Sequence, residues 1–197
     1  MASSGTSVKR PDIREFAATY KNTLQKVIDT IAPASVEQAI QILAEARAAG
    51  RTIFVCGNGG SASTASHFAS DLLKGASFQR QLRFRILALT DSLPTLTAYS
   101  NDVNYDCIFA EQLKNLARHG DIVVAISASG NSANVLQAVE YARSIGCRTI
   151  ALTGRGGGKL GPLADAEVRV AETHMGRIED SHMAICHMIS FYFMECA

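Results

Sequence analysis

The chain has 197 residues, of which 47% are hydrophobic and 19% charged, with a formal net charge of +1. That length suits one well-buried domain and is short for two. The balanced charge gives no electrostatic footing for nucleic acid or an anionic membrane, and no apolar run approaches the ~20 residues that cross a bilayer.

Residues 1–10 are polar and Ser/Gly-rich, without the apolar core of a secretory signal, and read as a flexible N-terminus. Residues 11–197 read as a single domain, with no linker, repeat or low-complexity tract. Its cysteines, Cys56, Cys107, Cys147, Cys186 and Cys196, form no CxxC pair and read as reduced thiols of a cytoplasmic protein.

Apolar residues recur at helical spacing over 13–31 (Phe16, Tyr20, Leu24, Val27, Ile28, Ile31) and again over 36–49, so two helices precede the first strand. Either they pack on their own domain, or they join a multi-helix core with other subunits. A strand over 52–56 then runs into Gly57-Asn58-Gly59-Gly60-Ser61 and a helix over 62–74. The positions Gly57, Gly59 and Ala62 fit a dinucleotide fingerprint, but the acidic residue expected about 20 positions on falls near Phe78 and Gln79. No nucleotide cofactor is expected. On the following helix His67 and Asp71 stand four apart, hence on one face. Such a pair can hold a divalent metal, act as a base with its partner, or be a solvated surface pair.

A strand over 85–89 and helices over 93–100 and 106–118 lead to the apolar strand 121–126. That strand delivers Ser127-Ala128-Ser129-Gly130-Asn131-Ser132 to the start of a helix over 133–145. Backbone N–H groups at the positive end of a helix, with three short hydroxyls around them, make an anion site. No GxxxxGK[ST] pattern follows, so a small phosphomonoester fits better than a nucleoside triphosphate. The rival reading is an ordinary Ser-rich turn with a helix cap.

Strands over 148–152 and 166–170 flank a short turn or helix at 158–164, and a last helix spans 177–195. It carries Glu179, Asp180, His182 and His187, and either acid is placed to share a site with His187. His182 points away from His187 and reads as an interface or surface residue; His119 and His174 read as exposed. Alternating α and β elements with apolar strands predict an α/β fold, a parallel five-stranded sheet flanked by helices in three α/β/α layers, flavodoxin-like, with an N-terminal helical extension. Two small Gly/Ser loops would then line one crevice at the strands' carboxyl ends.

The run GNGGSASTASHFASDL, the triplet Ser100-Asn101-Asp102, the loop SASGNSANVLQA, the turn Thr153-Gly154-Arg155 and the run RIEDSHMAICH together resemble the sugar isomerase (SIS) domain, and within it the phosphoheptose isomerases. The resemblance runs from about residue 15 to the end. It implies conversion of sedoheptulose 7-phosphate to glycero-manno-heptose 7-phosphate through an enediol. It also implies a homotetramer with sites between subunits, and zinc. By the same resemblance, the metal positions fall on His67, Asp71, Glu179 and His187, and the catalytic ones on His187 as base and Asp71 as its counterpart. Substrate-binding positions fall on Asn58, Gly59, Gly60, Asn101, Asp102, Ser127, Ala128, Ser129, Ser132 and Glu179. Asp71 replaces the family's usual glutamate, Glu179 its glutamine and Ala128 its threonine, changes that bear on the substrate more than on the chemistry. The rivals are an isomerase of another sugar phosphate and a non-catalytic SIS adaptor of the replication-initiator-associating type. The presence of both Asp71 and His187 favours an enzyme.

Overall fold

The structure, a computed structural model, describes residues 12–196, so the N-terminal segment read as flexible lies outside the described residues. Two helices come first, α1 (Ile13–Asp29) and α2 (Pro33–Ala48). The α/β alternation follows: β1 (Thr52–Gly57), α3 (Gly60–Ser70), β2 (Arg85–Ala88), α4 (Leu93–Asp102), α5 (Ala110–Leu116), β3 (Ile122–Ser127), α6 (Ala133–Ser144), β4 (Arg148–Gly154), α7 (Leu160–Leu163), β5 (Ala166–Val170) and α8 (Met175–Glu195).

All strand pairs are parallel and the order is β2-β1-β3-β4-β5, the doubly wound arrangement expected from the sequence. The central strands are buried on both faces, which is why they read as unbroken apolar runs. Their side chains alternate between two cores. Ile53, Val55, Ile122 and Val124 face α2, α3 and α8, whereas Phe54, Cys56, Val123 and Ala125 face α5, α6 and α7.

Two local departures shape the site. The helix expected over 106–118 is broken: Asn104 accepts a hydrogen bond from the N–H of Cys107 (3.0 Å) and caps a short 3₁₀ turn, Tyr105–Cys107, before α5 begins. The break sends Ile108 and Phe109 into the core and leaves Tyr105 on the surface. The second departure follows α3, which winds into a single π turn, Asp71–Gly75, closed by the N–H of Ala76 on the carbonyl of Asp71 (2.9 Å). Such turns recur at functional sites. Cys56, Cys107, Cys147 and Cys186 are buried thiols and Cys196 is exposed. Burial pushes Cys56 up to about 12 and Cys147 up to about 11, and raises Cys186 further, helped by the charge of Asp71.

Candidate active site

The order of a doubly wound sheet reverses between β1 and β3, and ligands of such sheets bind outside the strands' carboxyl ends at that point. Both glycine/serine loops emerge there. Asn58, Gly59 and Gly60 from the first, Ser127, Ala128, Ser129 and Ser132 from the second, and Glu179 and Met175 from α8 line one cavity of about 250 Å³.

Ser132 is the N-cap residue of α6, yet its side chain makes no capping bond. Its hydroxyl lies instead 3.1 Å from that of Ser127, which is 3.5 Å from the hydroxyl of Ser129. Three hydroxyls therefore converge beside the N-terminus of α6, where Oδ1 of Asn134 takes the N–H of Val135 and Ser132 takes none, and short hydroxyls at a helix start suit a phosphate. Gly130 makes the turn possible. Its φ is +64°, and a side chain there would strike the backbone of Gly157 and Gly158, which packs behind the loop. Two bonds hold this backing in place, from the N–H of Leu160 to the carbonyl of Gly130 (3.0 Å) and from the N–H of Lys159 to Oδ1 of Asn131 (3.2 Å).

A second group of functional side chains lies farther along α3 and α8. Nε2 of His67 is 3.0 Å from Nε2 of His187, and Oδ2 of Asp71 is 3.4 Å from the first nitrogen and 3.8 Å from the second. The two rings meet edge to face, and Phe191 packs against the ring of His187. Oδ2 of Asp71 is buried without a hydrogen-bond partner. A buried carboxylate oxygen facing two imidazole nitrogens is the donor set of a transition-metal site, and the three ligand atoms lie within 4.8 Å of one another. The helical spacing that put His67 and Asp71 on one face thus has a tertiary purpose: it turns both towards His187.

Glu179 departs from the expected ligand set. A Cβ on Gly60 would run into its carboxylate, so Glu179 sits over the start of α3, in the serine-lined cavity. His187 is eight residues further along α8, ~12 Å away. Gly60 meets Glu179 and His67 meets His187, so α3 and α8 run parallel and in contact, with the cavity at their start and the histidine pair about two turns further along. Among the described residues of one chain, the group able to hold a metal is His67, Asp71 and His187, without Glu179. Asp180 does not face the site either. It accepts a hydrogen bond from the hydroxyl of Tyr20 (2.6 Å), which ties α1 to α8 and raises the tyrosine pKa.

Other expected positions also move. Asn101 and Asp102 lie exposed at the end of α4, where the amide of Asn101 donates to Asp102 (2.8 Å), and neither lines the serine cavity. Ser100 instead lines a neighbouring cavity of about 290 Å³, with Asn58, Gly59 and Tyr105. The side chain of Asn58 bonds Asn134 and Tyr105, and the residue lines both cavities. His182, read as an interface or surface residue, is 1% exposed. Its Nε2–H donates to the carbonyl of Thr153 (3.0 Å), and burial lowers its pKa, holding it neutral. His119 and His174 are exposed, as expected, and His174 caps α8 through the N–H of Arg177.

A profile of the SIS domain matches residues 15–154. A phosphoheptose isomerase of Aliarcobacter butzleri is 41% identical over 92% of this chain and 95% of its own. The structures of two phosphoheptose isomerases superpose closely. That from Neisseria gonorrhoeae gives a TM-score of 0.85 at 32% identity over 92% of this chain and 98% of its own. That from Francisella tularensis gives 0.86 at 30% identity over 94% and 100%. The chain belongs to the SIS domain family, and within it to the phosphoheptose isomerases.

Proposed function

We propose that the protein interconverts a ketose phosphate and its aldose, with sedoheptulose 7-phosphate as the substrate and glycero-manno-heptose 7-phosphate as the product. The observation that carries this reading is the placement of two groups along the parallel helix pair α3 and α8: three converging hydroxyls beside its start and an Asp/His group about two turns further along. Relatives at about 40% identity bear the same activity in their names.

The serine end takes the distal phosphate, so that binding energy there positions the reacting carbons at the histidines. His187 removes a proton from the carbon beside the carbonyl, and the electron pair moves to the carbonyl oxygen to give an enediolate. Asp71 carries protons between the two neighbouring oxygens, and return of a proton to the former carbonyl carbon leaves the aldehyde on its neighbour. Zinc fits the His67, Asp71 and His187 group, which would supply three protein ligands and leave a position open. When bound it would act as a Lewis acid towards the substrate's oxygens. The lone pair on Nε2 of His187 can serve the metal or the substrate proton, so those two roles belong to different states of the site. Glu179, whose carboxylate only accepts hydrogen bonds when ionised, is placed to take substrate hydroxyls at the cavity.

The active assembly is a homotetramer. Asn101 and Asp102 are exposed and reach no site in their own chain, which suits a contribution to a neighbour's site. Among the described residues no helix is long and apolar enough to cross a membrane, in keeping with a cytoplasmic enzyme.

The test is a panel of five- to seven-carbon ketose phosphates in deuterated water, read by NMR. Deuterium entering the carbon beside the carbonyl, together with aldose formation, is expected and is to be greatest with the seven-carbon substrate. No exchange with any member of the panel would defeat the isomerase reading. In parallel, His67→Ala should lose zinc occupancy relative to the parent on metal analysis; equal occupancy would remove the three-ligand site.

A further inference from the structure

The two loops that build the phosphate cavity are 76 residues apart at their point of contact, and one closed hydrogen-bond pattern joins them. The amides of Asn58 and Asn134 pair reciprocally: Nδ2 of Asn58 donates to Oδ1 of Asn134 (2.8 Å) and Nδ2 of Asn134 donates to Oδ1 of Asn58 (2.9 Å). Oδ1 of Asn134 also accepts from the N–H of Val135 (2.9 Å). Oδ1 of Asn58 also accepts from the hydroxyl of Tyr105 (2.8 Å). Each amide oxygen therefore has both lone pairs engaged.

Asn134 is 2% exposed and stands in the first turn of α6, immediately after the serine loop. Asn58 precedes the start of α3. Fixing one amide against the other fixes the N-terminus of α6 relative to that of α3, and hence the three hydroxyls relative to Gly59 and Gly60. A pair of this kind in a low-dielectric setting is stiff, because slipping either amide leaves buried donors and acceptors unmatched. Tyr105, 53% exposed, closes the outer side, and it can do so because the 3₁₀ turn interrupts the helix there.

We infer that Asn134 and Tyr105 are positioning residues for the isomerase reaction, acting through Asn58 to hold the two loops at the spacing that grips the substrate phosphate. Neither contacts the substrate. The inference rests on the proposed isomerase activity for its kinetic consequence only, since the coupling between loops can be measured without substrate.

Asn134→Asp keeps the size of the side chain and the acceptor for Val135, but sets an oxygen against Oδ1 of Asn58. Tyr105→Phe removes one hydroxyl at the surface and leaves the fold undisturbed. Both should raise KM for the sugar phosphate, and the inhibition constant of inorganic phosphate, by about three- to tenfold, the worth of one lost hydrogen bond. kcat should fall less than about twofold, because the His187 group lies beyond the reach of the pair. A purely structural role would lower the melting temperature and leave KM alone. Hydrogen exchange followed by mass spectrometry supplies the second arm. Asn134→Asp should speed exchange in both 57–61 and 127–134. Unchanged KM in both variants, or faster exchange in one loop without the other, would overturn the inference. A parent that isomerises no sugar phosphate would defeat the functional reading, and the exchange arm would still decide whether the loops are coupled.

Discussion

Ser132 begins α6 without capping it. A serine at this position normally satisfies one of the helix's first donors. Here its hydroxyl turns to Ser127, and it is Asn134 that takes the N–H of Val135. Replacing Ser129 and Ser132 together by alanine should preserve the fold and weaken phosphate binding. Each hydroxyl donating to a charged acceptor is worth about 1.5–3 kcal/mol. Titration calorimetry with the sugar phosphate checks this, and parental affinity in the double variant would move the phosphate elsewhere. Further along α8, His187→Asn should keep affinity and lower turnover by about 10² to 10⁴, read as the rate of deuterium exchange into bound substrate. The sequence announced these residues unevenly. Serines in a strand-to-helix turn and an i, i+4 His/Asp pair are local patterns, so both were legible. The pairing of Asn58 with Asn134 was not, because nothing near either residue encodes a contact across 76 positions.

At the scale of elements, α8 shows how far a helical wheel can be trusted. Angular spacing correctly separated His182 from His187 but could not say which direction was core; α8 is packed on several sides, so the face opposite His187 meets Thr153 and is buried. The wheel also discards distance along the axis: Glu179 lines the serine cavity, whereas His187, about two turns on, meets His67 and Asp71. The helix is anchored at its start by Glu172. Its carboxylate accepts from the N–H groups of Thr173 and His174 and from Nε of Arg177 (2.7 Å), which depresses its pKa to about 2, chiefly through Arg177. The unfolded state binds its proton more tightly. The stabilisation is therefore complete above the ordinary carboxylate range and disappears as pH falls towards about 2. Glu172→Gln should melt below the parent at neutral pH, by about 2–4 °C for each kcal/mol lost. The gap should close on acidification between the ordinary carboxylate range and about 2. A gap that persisted to the acid end would show that the charge is not responsible.

For the whole molecule, the sheet and its two covering layers follow from sequence because strands buried on both faces cannot disguise themselves. The role of the N-terminal helices was open, and the single chain leaves them underused. Of the 17 residues of α1 only Val27 is buried, while Ile13 and Phe16 are exposed. Beside it, Met188, Phe191 and Tyr192 of α8 are exposed, and an apolar cleft of about 450 Å³ opens between α1, α2 and α8. Surfaces of this kind ask for a partner. Four copies burying them around one another would account for all three features, and light scattering should return a tetramer. A stable monomer with full activity would instead require every site residue to come from one chain.

The distribution of thiols turns the folded chain into its own clock. At neutral pH a disulfide reagent should titrate Cys196 promptly and reach the four buried cysteines only as the structure opens, since a thiol must be both exposed and ionised to react. The buried four sit at different places. Cys186 lies on α8 next to His187, whereas Cys147 immediately precedes β4, at the end of the sheet opposite the ligand crevice. A substrate held at His187 should therefore slow modification of Cys186 far more than that of Cys147, an asymmetry that peptide mass mapping of the labelled protein can read. Equal protection of both would mean that the ligand steadies the fold as a whole rather than the helix it meets.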